Sequence, residues 1–94
     1  MKKLEAEKRT KDESTKKMRE NGFIPAIVYG KDLENIMIKV PDSRVRSLWK
    51  DIRDKEKFIL EIEGKEYPVV LQEMQTDVVS SHIISIDFLL VQED

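Results

Sequence analysis

The chain has 94 residues, no cysteine, and 17 basic residues against 19 acidic, for a net charge of −2. This length supports one domain, residues 1–94, with a modest core. The composition excludes a disulfide framework and thiol chemistry, and the near-neutral balance argues against a general nucleic-acid coat protein.

No run approaches the roughly 18 apolar residues of a membrane-spanning helix. The start, MKKLEAEKRTKDES, lacks the apolar stretch of a signal peptide. The expected location is therefore cytoplasmic. Charge is unevenly placed: through Gly22 there are eight cations and five anions, a net of +3, which leaves −5 on the remainder. A basic end on an acidic body directs an anionic partner to one surface, although charge runs are commonly just solvated faces.

In chain order, Leu4 and Ala6 alternate with Lys3, Glu5 and Glu7, the pattern of an edge strand. Thr10 to Glu13 is a polar connection. Ser14 or Thr15 caps a short helix that runs to about Asn21 with Met18 on its inner side. Gly22 closes that helix. Pro25 then forces Ile24 into an extended conformation. Ala26, Ile27 and Val28 form a strand that Tyr29 ends, and Gly30 permits a tight turn or a close backbone approach. Tyr29 thus arrives beside a helix bearing Lys16, Lys17 and Arg19. An aromatic ring among cations suits an RNA backbone and its bases; the bland reading is a core strand ending in a half-exposed tyrosine.

Lys31 to Glu34 reads as a turn. Ile36, Ile38 and Val40 alternate with Met37 and Lys39, giving a strand with one buried face. Pro41-Asp42-Ser43 begins a helix in which Val45, Leu48, Trp49 and Ile52 form an inward stripe, with Trp49 as the expected anchor. Phe58, Leu60 and Ile62 mark the next strand, and Glu63-Gly64-Lys65 a hairpin turn. The return strand runs from Glu66 to about Gln75, with Pro68 suited to an edge or a bulge. Thr76 to His82 is a polar loop before the last strand, Ile83 to Val91. Strands outnumber helices. The expectation is a mainly β fold, a barrel of about six antiparallel or mixed strands with two to three short α-helices.

The last strand places Ser85 and Asp87 on one face, and Ile84, Ile86, Phe88 and Leu90 on the other. An aspartate in an apolar strand is costly unless its oxygens are paired. Either another strand supplies a donor, or Asp87 faces a polar ligand such as a guanine amino edge. Catalysis is not expected. His82 is the sole histidine and lies in a polar loop, and no nucleophile, metal cluster or phosphate loop accompanies it.

The run TKKMRENGFIPAIVYG, together with EIEGKEYPVVLQEMQ and SIDF, resembles the bacterial large-subunit ribosomal protein family numbered twenty-five, which binds 5S ribosomal RNA. The resemblance covers essentially the whole chain. It implies a six-stranded barrel, a monomer when free, that takes 5S RNA in the large ribosomal subunit and uses no cofactor, metal or membrane. The family's RNA-binding positions carry over to Arg9, Lys16, Arg19, Tyr29, Gln75 and Asp87, with Lys11 a looser match. Ser85 stands where the family has histidine, and Thr76-Asp77-Val78 where it has a basic residue and His-Pro. These departures leave open a diverged paralogue, similar to the family's stress-protein relatives, acting as a protein- or RNA-interaction module with weakened 5S binding.

Overall fold

The computed structural model describes residues 2–10, 12, 14–31, 33–51, 56–80 and 82–91. Its elements are β1 (Lys3–Lys8), α1 (Thr15–Glu20), β2 (Phe23–Gly30), β3 (Leu33–Pro41), α2 (Asp42–Asp51), β4 (Phe58–Ile62), β5 (Lys65–Thr76) and β6 (Ile83–Leu90). The strands close into a six-stranded barrel in the order β1-β3-β2-β6-β5-β4. The β1–β4 and β2–β6 pairings are parallel and the other four antiparallel, so the barrel is mixed.

The alternation read from the sequence fills the interior. Leu4, Ala6, Ile24, Ala26, Val28, Ile38, Val40, Phe58, Leu60, Ile62, Val69, Ile86 and Phe88 are buried. Phe58 and Phe88 meet edge to face, with centroids 5.8 Å apart. Val45 of α2 joins this core.

Several expectations change. β1 is no edge: it pairs with β3 on one side and β4 on the other and closes the barrel. Closure leaves no free edge for Pro68 either. The Pro68 carbonyl accepts from the Val91 amide at 2.8 Å, which aims that residue's backbone at β6 just past the strand's end. The missing N–H therefore falls where the ladder is already finishing. Trp49 does not anchor α2. It is 42% exposed, and Val45 and Leu48 make the inward contact instead. Ile52, the fourth residue of the expected stripe, lies outside the described residues.

The β4–β5 connection is the expected hairpin turn, tightened to two residues, because Lys65 already belongs to β5 and pairs with Ile62. Glu63 and Gly64 have φ of 49° and 85°, both left-handed, as a type I′ hairpin requires. Gly30 serves the close approach. A Cβ built there would stand 2.8 Å from the Leu90 Cβ and 3.6 Å from its carbonyl oxygen. Gly30→Ala is expected to cost about 1–3 kcal/mol through overpacking. A urea midpoint equal to the parent's would show that the end of β6 simply yields.

Candidate nucleic-acid interface

The β5–β6 ladder carries two compensating irregularities. Leu71 opposes Phe88, but Glu73 opposes Asp87, so Gln72 is an extra residue on β5. Gln75 opposes Ser85, but Thr76 opposes Ile83, so Ile84 is an extra residue on β6. Between the two bulges lies a window of three rungs, shifted by one residue from the rest. Such bulges re-aim side chains. Here the first one lets Leu71 and Met74 both pack on the core while Glu73 and Gln75 face out. The second corrects the expected inner face of β6: Ile83, not the bulged Ile84, packs against the core.

Outside the barrel, residues opposite one another across strands share a face. One row runs Met37–Ile27–Asp87–Glu73 across β3, β2, β6 and β5. On one side of it Tyr29 sits beside Leu89; on the other, Ser85 sits beside Gln75. The Ser85 hydroxyl donates to Gln75 Oε1 at 3.3 Å. Tyr29, Gln75, Ser85 and Asp87 thus come together on one outer surface.

α1 borders that surface. Ser14 caps it, its hydroxyl accepting from the Lys17 amide at 3.3 Å, and Met18 is buried beneath it. α1 packs on β2, where outward-facing Pro25 is also buried. Arg19 Nη2 donates to the carbonyl of Ile84 at 3.0 Å, so the bulge ties α1 to β6. Lys16 is two residues from Met18, roughly 200° around the helix, and faces solvent away from the barrel.

Arg9 reaches the same surface from the far side. Its amide donates to the Met37 carbonyl at 3.2 Å, and alternation along β1 turns its side chain outward. Its Nε and Nη1 are enclosed, with no hydrogen-bond partner among the described residues. Three strand spacings of about 4.8 Å, roughly 14 Å along the sheet, separate β1 from β6. Lys11 lies outside the described residues.

The electrostatics follow from the register. Glu73 and Asp87 are directly opposed carboxylates, an unfavourable pairing. Burial first, then Asp87 and Glu73, raise the Tyr29 hydroxyl above its ordinary value of 10.0. It therefore stays protonated, a hydrogen-bond donor, through neutral pH. Asp77 in the β5–β6 loop accepts from the Val79 amide at 2.9 Å, and this bond holds its carboxyl below the usual 3.8. The same loop leaves Val78 and Val79 almost wholly exposed.

β4 stands three strands round the barrel from β2, on the opposite side. There Glu5, Glu61 and Glu66 form one row, with the Lys3 ammonium bridging Glu61 and Glu66. That pairing raises the Lys3 value above 10.5. A cleft of about 300 Å³ opens between β1 and α2, lined by Lys2, Lys3, Leu4, Pro41, Arg44 and Leu48 among others. None of the expected RNA-binding residues that are described lines it.

Glu73 was absent from the sequence-derived set. Strict alternation from Val69 and Leu71 points it into the core. The signal that finds it is the three-residue step from Leu71 to Met74, where the apolar phase jumps.

Comparison with known proteins matches residues 4–88 to the model of the Ribosomal L25p family. The chain is similar to the large ribosomal subunit protein bL25 of Geobacillus kaustophilus, 34% identical over 90 residues, covering 94% of this chain and 43% of that one. It is 33% identical over 78 residues to the protein of the same name from Caldicellulosiruptor saccharolyticus, covering 83% of this chain and 38% of that one. The corresponding protein of Desulfitobacterium hafniense is 28% identical over 82 residues, 87% of this chain and 46% of its own. The chain therefore spans less than half the length of these relatives. With its six-stranded barrel and a family match running from β1 into β6, the chain belongs to the Ribosomal L25p family.

Proposed function

We propose that this chain is a component of the large ribosomal subunit that binds 5S ribosomal RNA, with residues 1–94 acting as one binding unit. It works in the cytoplasm on the ribosome, as a binding protein and not an enzyme, and is a monomer when free. The observation that carries this reading is the register of β2, β6 and β5. It gathers Tyr29, Gln75, Ser85 and Asp87 on one outer face, with Arg9 and α1 at its borders.

The chemistry suits an A-form helix. Its wide, shallow minor groove displays base edges and 2′-hydroxyls that a flat sheet surface can meet. Asp87 and Gln75 accept from base amino groups, and the protonated Tyr29 hydroxyl donates to a phosphate or sugar oxygen. Arg9, Lys11 and Lys16 supply the charge that neutralises phosphates. The acidic row on β4 repels the same polyanion, so the RNA has one side to approach.

A second reading has support of its own. Ser85 and Gln75 are hydrogen-bonded to each other, and Thr76-Asp77-Val78 adds no cation to that end of the face. This favours a diverged paralogue with weakened 5S binding.

Titration of 5S RNA in a gel-shift assay separates the readings. With three or four phosphates neutralised, affinity should fall by roughly 10²-fold between 50 and 200 mM salt. A binding constant flat across that range overturns the RNA reading. Salt-sensitive binding no tighter than to an unrelated RNA helix favours the paralogue.

A further inference from the structure

We infer that Arg19 is a positioning residue: it pins α1 to the β6 bulge at Ile84 and so holds the helix against the three-rung window that carries Ser85 and Asp87. The inference deepens the RNA reading and rests on it.

The bulge explains why an arginine belongs there. A bulged residue is left unpaired and its ladder locally disrupted. At Ile84 the register slips between the Gln75↔Ser85 and Thr76↔Ile83 pairs, and the Ile84 carbonyl takes its hydrogen bond from Arg19 Nη2 at 3.0 Å. The bond spans 65 residues of sequence. α1 packs chiefly on β2, and this bond ties it to β6 as well. Ser85 follows directly and meets Gln75.

Geometry assigns the role over a phosphate contact. Lys16, two residues earlier, faces away from the barrel, whereas Arg19 turns toward β6 and spends a guanidinium donor on the protein itself. Loss of the tie loosens α1 on its β2 contact and, with it, the window that carries Ser85 and Asp87, while Lys16 stays on the helix to neutralise its phosphate.

The test compares the parent with Arg19→Ala and Arg19→Lys. Lysine keeps the charge but ends one bond short of the Nη2 position. Two quantities are read: the slope of log affinity for 5S RNA against log salt, and hydrogen exchange of the Met18 and Asn21 amides in the free protein. Positioning predicts about tenfold weaker binding for both variants, an unchanged salt slope, and several-fold faster exchange in α1. A slope reduced by about 0.9, the signature of one lost phosphate contact, overturns the inference, as does full rescue by lysine or unaltered affinity. If the parent itself fails to bind 5S RNA, the functional reading falls. The exchange measurement still decides the tie, since unchanged protection in Arg19→Ala overturns it.

Discussion

Phe88→Ala is expected to lower the stability of the barrel by about 3–5 kcal/mol. Phe88 is 1% exposed, and its ring meets that of the fully buried Phe58 edge to face. The two come from β6 and β4, which have β5 between them, so the pair joins strands that share no hydrogen bonds. Truncation removes the ring's transfer free energy and leaves an apolar cavity, bounded by Phe58, that closed strands cannot collapse to fill. A domain of this size has about 5–15 kcal/mol in total, so the variant sits near its unfolding threshold at ambient temperature. Phe58→Ala should cost a similar amount. The double variant should cost less than the two singles together, by roughly 0.5–1.5 kcal/mol for the ring contact. Denaturant unfolding of the four proteins measures this cycle. A loss below about 1 kcal/mol for Phe88→Ala would show that the barrel repacks, contrary to a core built on this pair.

The sequence made the barrel's interior legible because period two is a strong signal wherever one face is dry. Ile36, Ile38 and Val40 announce β3, and Phe58, Leu60 and Ile62 announce β4; every one of these lies against or within the core. Turn chemistry was equally readable at Gly22 and Gly64, both of which have positive φ. What periodicity cannot carry is partner identity. Leu4 and Ala6 read as an edge strand because alternation says nothing about whether β4 arrives on the second side. Trp49 misled for a related reason. Helical spacing puts it beside Val45, but α2 meets the barrel along a narrow stripe that Val45 and Leu48 already fill.

The sequence shows the residues of the outer β2–β6–β5 face but not how the face is built. Removing Gln72 on paper restores perfect alternation, with Leu71 and Met74 inward and Glu73 and Gln75 outward. The bulge therefore hides the phase of β5 from any fixed-period reading, and Glu73 was missed with it. Asp87 was found because a carboxylate in an apolar strand is conspicuous. The two possibilities for it were pairing within the protein and exposure to a ligand. Register answers in part: its opposite neighbour is another carboxylate, and no ion pair to Asp87 is seen among the described residues.

Met18→Ala is expected to release α1 from the barrel without unfolding the barrel. A helix of six residues is far below the length that is stable alone in water, so its order comes from docking. The Ser14 cap closes its first turn, and two contacts dock it: the Arg19 bond to Ile84, and Met18, which is 2% exposed. Truncating a buried methionine costs about 2–5 kcal/mol when the surroundings stay in place. That is more than so small an element can lose and remain docked. The helix should therefore detach, and the global cost should saturate at the docking free energy instead of reaching the full cavity value. Two probes then disagree. Hydrogen exchange at Met18→Ala's own α1 amides should approach that of an unfolded chain, while the denaturation midpoint of the strands falls by much less than for Phe88→Ala. If the chain binds 5S RNA as proposed, affinity should drop with the helix, because Lys16 leaves the surface and the Arg19 tie to Ile84 is lost. Retained α1 protection with a midpoint loss as large as that of Phe88→Ala would mean that Met18 belongs to the global core, and that α1 folds and unfolds as part of the barrel.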